Sequence, residues 1–266
     1  MTKRLALATS NLWPMLVALF VLLAAWSAAK YFGGIRDYFV PYPWKVIETA
    51  IRIRGELAEA TWLTARAAVC GFAMSTVIGA VIAILFSQFR LLRLGCFPYA
   101  VILQTVPIVA IAPLITYTRG PGFGSVVLIA FIVSLFPIIS NFTAGLSRVP
   151  AGLLELFQLN NASRWQTICK LQIPHAIPDL VTGMRTSAGL AVIGAIVGEF
   201  FAGNSSQGHG LGFMVPQRMD RLRADEAFAA VGMATLLGIA MFMSVSWMGG
   251  TLLSRWTQAD RRSGGI

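Results

Sequence analysis

The sequence predicts an all-α polytopic membrane protein: six transmembrane helices, with an ordered loop joining the fourth to the fifth. Three observations predict it. Of the 266 residues, 56% are hydrophobic and only 12% charged, and the mean hydropathy is +0.71, whereas an ordinary soluble domain is about a quarter charged. Asp, Glu, Lys and Arg are absent from Leu5–Ala29, Ala67–Phe89, Leu94–Thr118, Gly120–Ser147 and Ala227–Ser254. Each window exceeds the roughly 20 apolar residues that cross about 30 Å of hydrocarbon. The charges that remain collect at the window ends and in the segments between them.

The first span is placed at 12–32. Lys3 and Arg4 precede it as they would a secretory signal. The apolar run is too long for a signal core, however, and no small-residue cleavage site follows, so it reads as a retained helix. After a turn-prone FVPYPW, Val46, Ile47, Ala50, Ile51 and Ile53 alternate with charges in a helical pattern. Those charges forbid spanning. The segment 44–62 is therefore expected as an interfacial helix against lipid on the outer face, anchored by Trp44 and Trp62.

The second span, 67–89, carries Gly71, Ser75 and Gly79 on one face. Small residues at that spacing let helices approach closely in lipid, either as packing within the chain or as a face lining a dimer seam or the substrate path. The third span, 95–118, holds Pro98, Pro107 and Pro113, with Gln104 and Thr105 beside them. Proline removes a backbone donor and kinks a helix. Gln104 and Thr105, with Ser134 of the fourth span (124–143), are candidates for the wall of a path; helix-to-helix glue is the alternative for the polar pair. The fifth span, 180–202, is the least apolar. It carries a second small pair, Gly194 and Gly198, and the acidic Glu199. An intramembrane acid is a functional candidate by default, here as gate, path or ion-pair residue. The sixth span is 226–254.

The net charge is +10. The basic residues form no continuous stripe and are not interleaved with aromatics, so nucleic acid is not an expected partner. Arg90, Arg93, Arg255, Arg261 and Arg262 lie close to span ends, which orients both termini toward the cytoplasm. Cys70, Cys96 and Cys169 have no metal-ligand spacing and read as structural. With two histidines and no zinc motif, neither an enzyme site nor a bound cofactor is expected. No phosphate-binding G-x-x-x-x-G-K-[ST] occurs, and Gly208–Gly212 reads as a loop turn.

The loop at 148–178 carries the most information. Glu155, Arg164 and Lys170 exclude a further span. Pro150 suits the first turn of a helix, Leu153, Leu154, Phe157 and Leu159 give it an apolar face, and Asn160 with Asn161 tolerates a left-handed turn. Ser163 and Gln166 form a capping-box pattern for a second helix, which Pro174 is expected to end. The product is a helix–turn–helix bracket outside the bilayer, joined to a span at each side.

This stretch resembles the cytoplasmic loop of ABC importer permeases, whose pattern is Glu-Ala-Ala, three residues, Gly, nine residues, then Ile-x-Leu-Pro. Here Glu155, Leu156 and Phe157 open the pattern, and Asn161, followed by Ala162, takes the glycine position. Leu171, Ile173 and Pro174 close it at the same spacing. Two alanines and a glycine are replaced by larger residues. The segments VPYP, VPIVAIAPL and GEFFAGNSSQGHGLG are similar to permeases of the nitrate, sulfonate and taurine type. The run ITYTRGPGFG after APL departs from that pattern.

The resemblance implies a bacterial inner-membrane permease, paired with a second copy. It also implies two cytoplasmic ATPase subunits, which bind the ATP and magnesium, and an external solute-binding protein. The bracket would couple to the ATPase. The solute would be nitrate, a sulfonate, taurine or a vitamin-precursor pyrimidine. The alternative is an ion-coupled secondary transporter working through Glu199.

Overall fold

A computed structural model describes residues 2–202 and 209–263. In order, the helices are α1 (Thr2–Phe32), α2 (Pro43–Arg52), α3 (Arg54–Gln88), α4 (Arg90–Thr105), α5 (Ile108–Arg119) and α6 (Phe123–Ser147). There follow α7 (Ala151–Leu159), α8 (Arg164–Thr167), a π-turn (Ile168–Gln172), α9 (Ile173–Ala202), α10 (Leu211–Asp220) and α11 (Ala224–Ser263).

Among the described residues, four helical segments are long and apolar enough to cross a membrane: Arg54–Gln88, Phe123–Ser147, Arg164–Ala202 and Ala224–Thr251. The predicted third span is broken. α4 and α5 meet at 95° across Val106 and Pro107, and counted together they make a fifth candidate. Pro107 has no N–H to continue the ladder of α4, and it disfavours helical backbone at Val106, which is extended at ψ 126. Pro98 and Pro113 stay inside their helices. The predicted first span lies within α1, whose described apolar stretch, Leu16–Phe32, is shorter than the other candidates.

Two further boundaries differ from the expectation. The interfacial helix is only ten residues long, Pro43–Arg52, and the chain after Ile53 already belongs to the 35-residue α3. Trp44 and Trp62 therefore stand on separate helices, both well exposed. Pro174 does not end a helix. At the π-turn the Ile173 N–H donates to Ile168 O, five residues back. The hydrogen-bond pattern has already shifted where Pro174 lacks its donor, and α9 continues through it.

The chain forms two compact units. The first comprises Met1–Ala58 and Met214–Gly232. Its centre is a charged cluster. Glu226 is fully buried, paired with Arg218 at 2.9 Å, with Arg223, and with Arg52 at 3.6 Å. Arg218 also binds Glu56, and Asp225 accepts from Thr49 at 2.8 Å. Elsewhere in this unit Lys30 lies over the Tyr42 ring and pairs with Asp37. Hydrogen bonds from Lys30 and then Lys45 hold the Asp37 carboxyl below its usual range.

The second unit comprises Glu59–Phe213 and Met233–Ile266. Its hub is α6. Ala67 and Ala68 of α3, Val126, Val127 and Ala130 of α6, Ala188 and Val192 of α9, and Met241 and Val245 of α11 form one core. A second core joins Ala83, Phe142, Leu146 and Ala176, with Ile173 against it. The small residues explain the tightness. A methyl on Gly71 would meet Ala130 Cβ at 2.6 Å, and one on Gly79 would meet Ile138 at 3.0 Å. Methyls on Gly194 and Gly198 would meet backbone Cα atoms of Ala130 and Val126 at 2.7 and 3.0 Å. Both small-residue faces therefore pack within this chain, onto α6. Backbones this close exchange dispersion contacts that lipid tails cannot match.

Candidate functional site

The residues of the bracket fold as two short helices around a fixed turn. Pro150 precedes α7, where its missing N–H costs no helical bond. At the far end Asn161 adopts φ 53, its N–H donates to Gln158 O, and the Ala162 N–H reaches back to Phe157 O. That pair of bonds is the Schellman pattern, which satisfies carbonyls the helix end would leave open. Asn is among the few non-glycine residues that take this backbone at low cost. One residue later Ser163 Oγ accepts from the Gln166 N–H, and Gln166 Oε1 accepts from the Ser163 N–H, a reciprocal capping box. Both sides of the turn are thus closed by hydrogen bonds, and the bracket has little freedom to flex there.

Its outward face is apolar. Leu156 is 53% exposed, Leu159 81% and Trp165 71%. Glu155 is exposed beside them. A groove of about 300 Å³ runs between the two helices, lined by Leu156, Phe157, Asn160, Ala162, Gln166 and Lys170. Leu171, Ile173 and Pro174 lie on the inner side and are partly buried, with Ile173 against the core of Phe142 and Leu146. The motif residues therefore divide into an exposed half and an inward-packed half.

Two contacts fasten the bracket to the bundle. Arg148 Nη1 donates to Asp179 Oδ1 at 2.8 Å, tying the start of the loop to α9. Gln88, the last residue of α3, donates from Nε2 to Gln172 Oε1 at 2.7 Å. Neither glutamine stood out in the sequence, because a glutamine at a helix end is common and its partner lies 84 positions away.

Glu199 occupies the opposite end of α9, where it is 8% exposed. Its Oε2 accepts from the Thr64 hydroxyl and from the Gly212 N–H, each at 2.9 Å, and Thr64 Oγ1 accepts from the Leu211 N–H at 2.9 Å. Leu211 and Gly212 open α10. The first N–H groups of a helix have no partner within it, and here two side chains from other helices satisfy them. A negative carboxyl also suits the positive end of the helix dipole. The glycines nearby have a steric reason. A Cβ on Gly210 would overlap the Glu199 carboxyl, and one on Gly212 would overlap the Ile196 carbonyl. The described part of the glycine-rich run thus seats a helix start on an internal acid; Gly208 lies outside the described residues.

The other three path candidates sit in different surroundings from Glu199. Ser134 is fully buried; its single hydroxyl proton has Ala130 O at 2.7 Å and Ser75 Oγ at 2.9 Å as acceptors within reach. Its carbonyl accepts from Ser187 Oγ at 2.6 Å. It is a link between α3, α6 and α9. Gln104 and Thr105 sit exposed at the end of α4, just before the 95° bend. All three cysteines are free and exposed. Among the described residues no cluster of three His, Cys, Asp or Glu side chains could hold a metal ion.

Comparison with known proteins sets this geometry in context. The sequence profile of the family described as binding-protein-dependent transport system inner membrane component matches residues 75–258. The riboflavin transport system permease protein RibX of Chloroflexus aurantiacus is 32% identical over 254 residues, which cover 92% of this chain and 91% of that protein. The formylaminopyrimidine transport permease protein ThiX of Halalkalibacterium halodurans is 30% identical over 235 residues, covering 88% and 92%. Among solved structures, a chain of the inward-facing MetNI methionine ABC transporter is similar with a TM-score of 0.59. That likeness covers 81% of this chain and 98% of the other, at 17% identity, and speaks to the fold alone.

Proposed function

Because the chain belongs to the binding-protein-dependent transport system inner membrane component family, the permeases of ABC transporters, we propose that it forms the translocation path of an ATP-driven importer. Its solute would be a small polar organic molecule presented by an external binding protein. Hydrolysis would take place on a separate ATPase subunit, docked at the cytoplasmic face.

The observation that carries the coupling role is the bracket itself. An exposed helix bearing Leu156 and Leu159, fixed by a Schellman turn and a capping box, is a poor thing to leave in water. An apolar patch rimmed by polar groups marks a protein contact. Rigidity matters as much as adhesion. A partner that closes on ATP can move membrane helices only through an element that does not bend first, and only if its contacts differ in free energy between the two states.

The solute class rests on the two permeases named above, since riboflavin and formylaminopyrimidine are both nitrogen heterocycles. A heterocyclic vitamin or vitamin precursor therefore fits this chain better than an inorganic ion such as nitrate. The working unit would contain two copies of the permease, so that one bracket meets each ATPase. The buried Glu199, holding the start of α10, has a structural task that requires no ion coupling.

The test is ATP hydrolysis by the complex purified through this chain and reconstituted in vesicles. Hydrolysis that rises when binding protein and a heterocyclic solute are supplied together supports the reading. Solute uptake driven by an ion gradient, with no nucleotide present, would overturn it.

A further inference from the structure

α3 touches both functional ends of its unit. Gln88, its last residue, holds Gln172 at the base of the bracket. Thr64, near its other end, holds Leu211 and Glu199. The two positions are about 36 Å apart at 1.5 Å rise per residue. Between them the helix is unbroken, and Gly71 and Gly79 press it onto α6 without intervening side-chain bulk. A continuous helix is stiff along its axis, so a displacement at Gln88 is not absorbed before it reaches Thr64.

The bracket end has the complementary property. Gln172 closes the π-turn Ile168–Gln172, directly where the bracket joins α9. π-turns carry strained, widened hydrogen bonding and are found at functional sites more often than chance allows. The turn at Asn161–Ser163 is closed by hydrogen bonds on both sides, whereas this joint departs from the α-helical pattern. Movement imposed on the bracket can pass along the chain into α6 and α9, through the Arg148–Asp179 ion pair into α9, and through the Gln88–Gln172 hydrogen bond into α3, which has no covalent link to the bracket.

We propose that Gln88 and Gln172 are positioning residues for transport, and that α3 is the rod connecting the bracket to the Glu199–Thr64–Gly212 clamp at the other end. This rests on the reading of the bracket as the ATPase contact. ATP-driven displacement of the bracket is passed by the glutamine pair to α3, and Thr64 then shifts against the first residues of α10. The clamp is loosened or tightened with no direct contact from the ATPase.

The experiment uses the full chain in complex with its ATPase, reconstituted in vesicles. Two quantities are read: solute transported per ATP hydrolysed, and the ATP-dependent change in hydrogen exchange of the Leu211 and Gly212 amides. In the unaltered complex ATP changes exchange at both amides. In Gln88→Ala and in Gln172→Ala the ATPase still binds, the exchange response is lost, and transport per ATP falls roughly fivefold, the factor for one net hydrogen bond of about 1 kcal/mol. The pair Gln88→Glu with Gln172→Lys restores the contact as an ion pair, and with it both readouts, which a merely folding-related defect would not do.

The inference fails if either alanine variant keeps the exchange response and the transport ratio of the unaltered complex. If no ATPase binds the unaltered chain at all, the reading of the bracket has failed instead.

Discussion

Glu199 and Gly212 are joined by a hydrogen bond of 2.9 Å from the glycine backbone to the carboxyl Oε2, so that an acid near the end of one helix caps the beginning of another. The arrangement depends on Gly210, whose missing Cβ leaves room for the carboxyl. It turns a costly group, a buried acid, into the partner of donors that would otherwise be orphaned.

Removal of that acid can be separated from neutralisation. Glu199→Gln retains an oxygen acceptor and should change stability little. Glu199→Ala leaves the Gly212 N–H unpaired, although Thr64 can still donate to Ala60 O, and should cost roughly 1–3 kcal/mol. Gly210→Ala should be at least as harmful, because its Cβ has nowhere to go. Thermal unfolding in detergent, followed by the loss of monodisperse protein, orders the three.

The helix seams make a second contrast. Gly194→Val places a branched side chain against the Ala130 backbone and should cost about 1–3 kcal/mol through forced separation of α6 and α9. Ser134→Ala keeps the carbonyl that Ser187 uses and removes only hydroxyl contacts, about 0.6 kcal/mol by the average for interhelical bonds in membranes. The same unfolding assay should place the glycine variant well below the serine variant.

Much of this was legible in the sequence for local reasons. The capping box needs only Ser163 and Gln166 three residues apart, and Asn161 announces its left-handed turn by residue type. The small residues of α3 and α9 show their spacing directly, although only the structure says that both face α6. What the sequence concealed depends on distant partners. Hydropathy runs straight through Val106 and Pro107, because a bent pair of helices is as apolar as a straight one. Three prolines mark the segment, and nothing local says that Pro107 breaks the chain while Pro98 and Pro113 do not. Pro174 misleads in the opposite sense, since no local pattern announces the π-turn before it. The clamp on Glu199 draws Thr64, Leu211 and Gly212 from well-separated positions, and no periodicity links them.

The turn of the bracket gives a third prediction. Asn161→Gly should leave stability unchanged or slightly raised, since glycine takes φ 53 without strain. Asn161→Val should lose about 1–2 kcal/mol and loosen the bracket, because a β-branched residue resists that backbone. Protease sensitivity of the 148–178 segment in the folded protein distinguishes the two.

In the other unit Glu226 holds Arg218, Arg223 and Arg52 together with no exposure of its own. Glu226→Ala takes the buried partner from Arg218, which keeps only the more exposed Glu56, and should cost roughly 3–5 kcal/mol. Yield of folded protein should collapse, whereas Arg52→Ala, at the exposed margin of the cluster, should be tolerated. A detergent-extract gel-filtration profile of each variant is sufficient.

If the bracket is where an ATPase takes hold, co-purification through this chain shows it. The tagged chain is extracted in mild detergent in three forms: unaltered, with Leu156→Asp and Leu159→Asp, and with Glu155→Lys. An ATP-hydrolysing subunit should accompany the unaltered chain and be lost from the doubly charged variant. Glu155→Lys, with insertion and pairing intact, should lose coupled transport. Equal recovery of the ATPase from the unaltered and doubly charged chains would mean that the apolar face of α7 has no part in holding it.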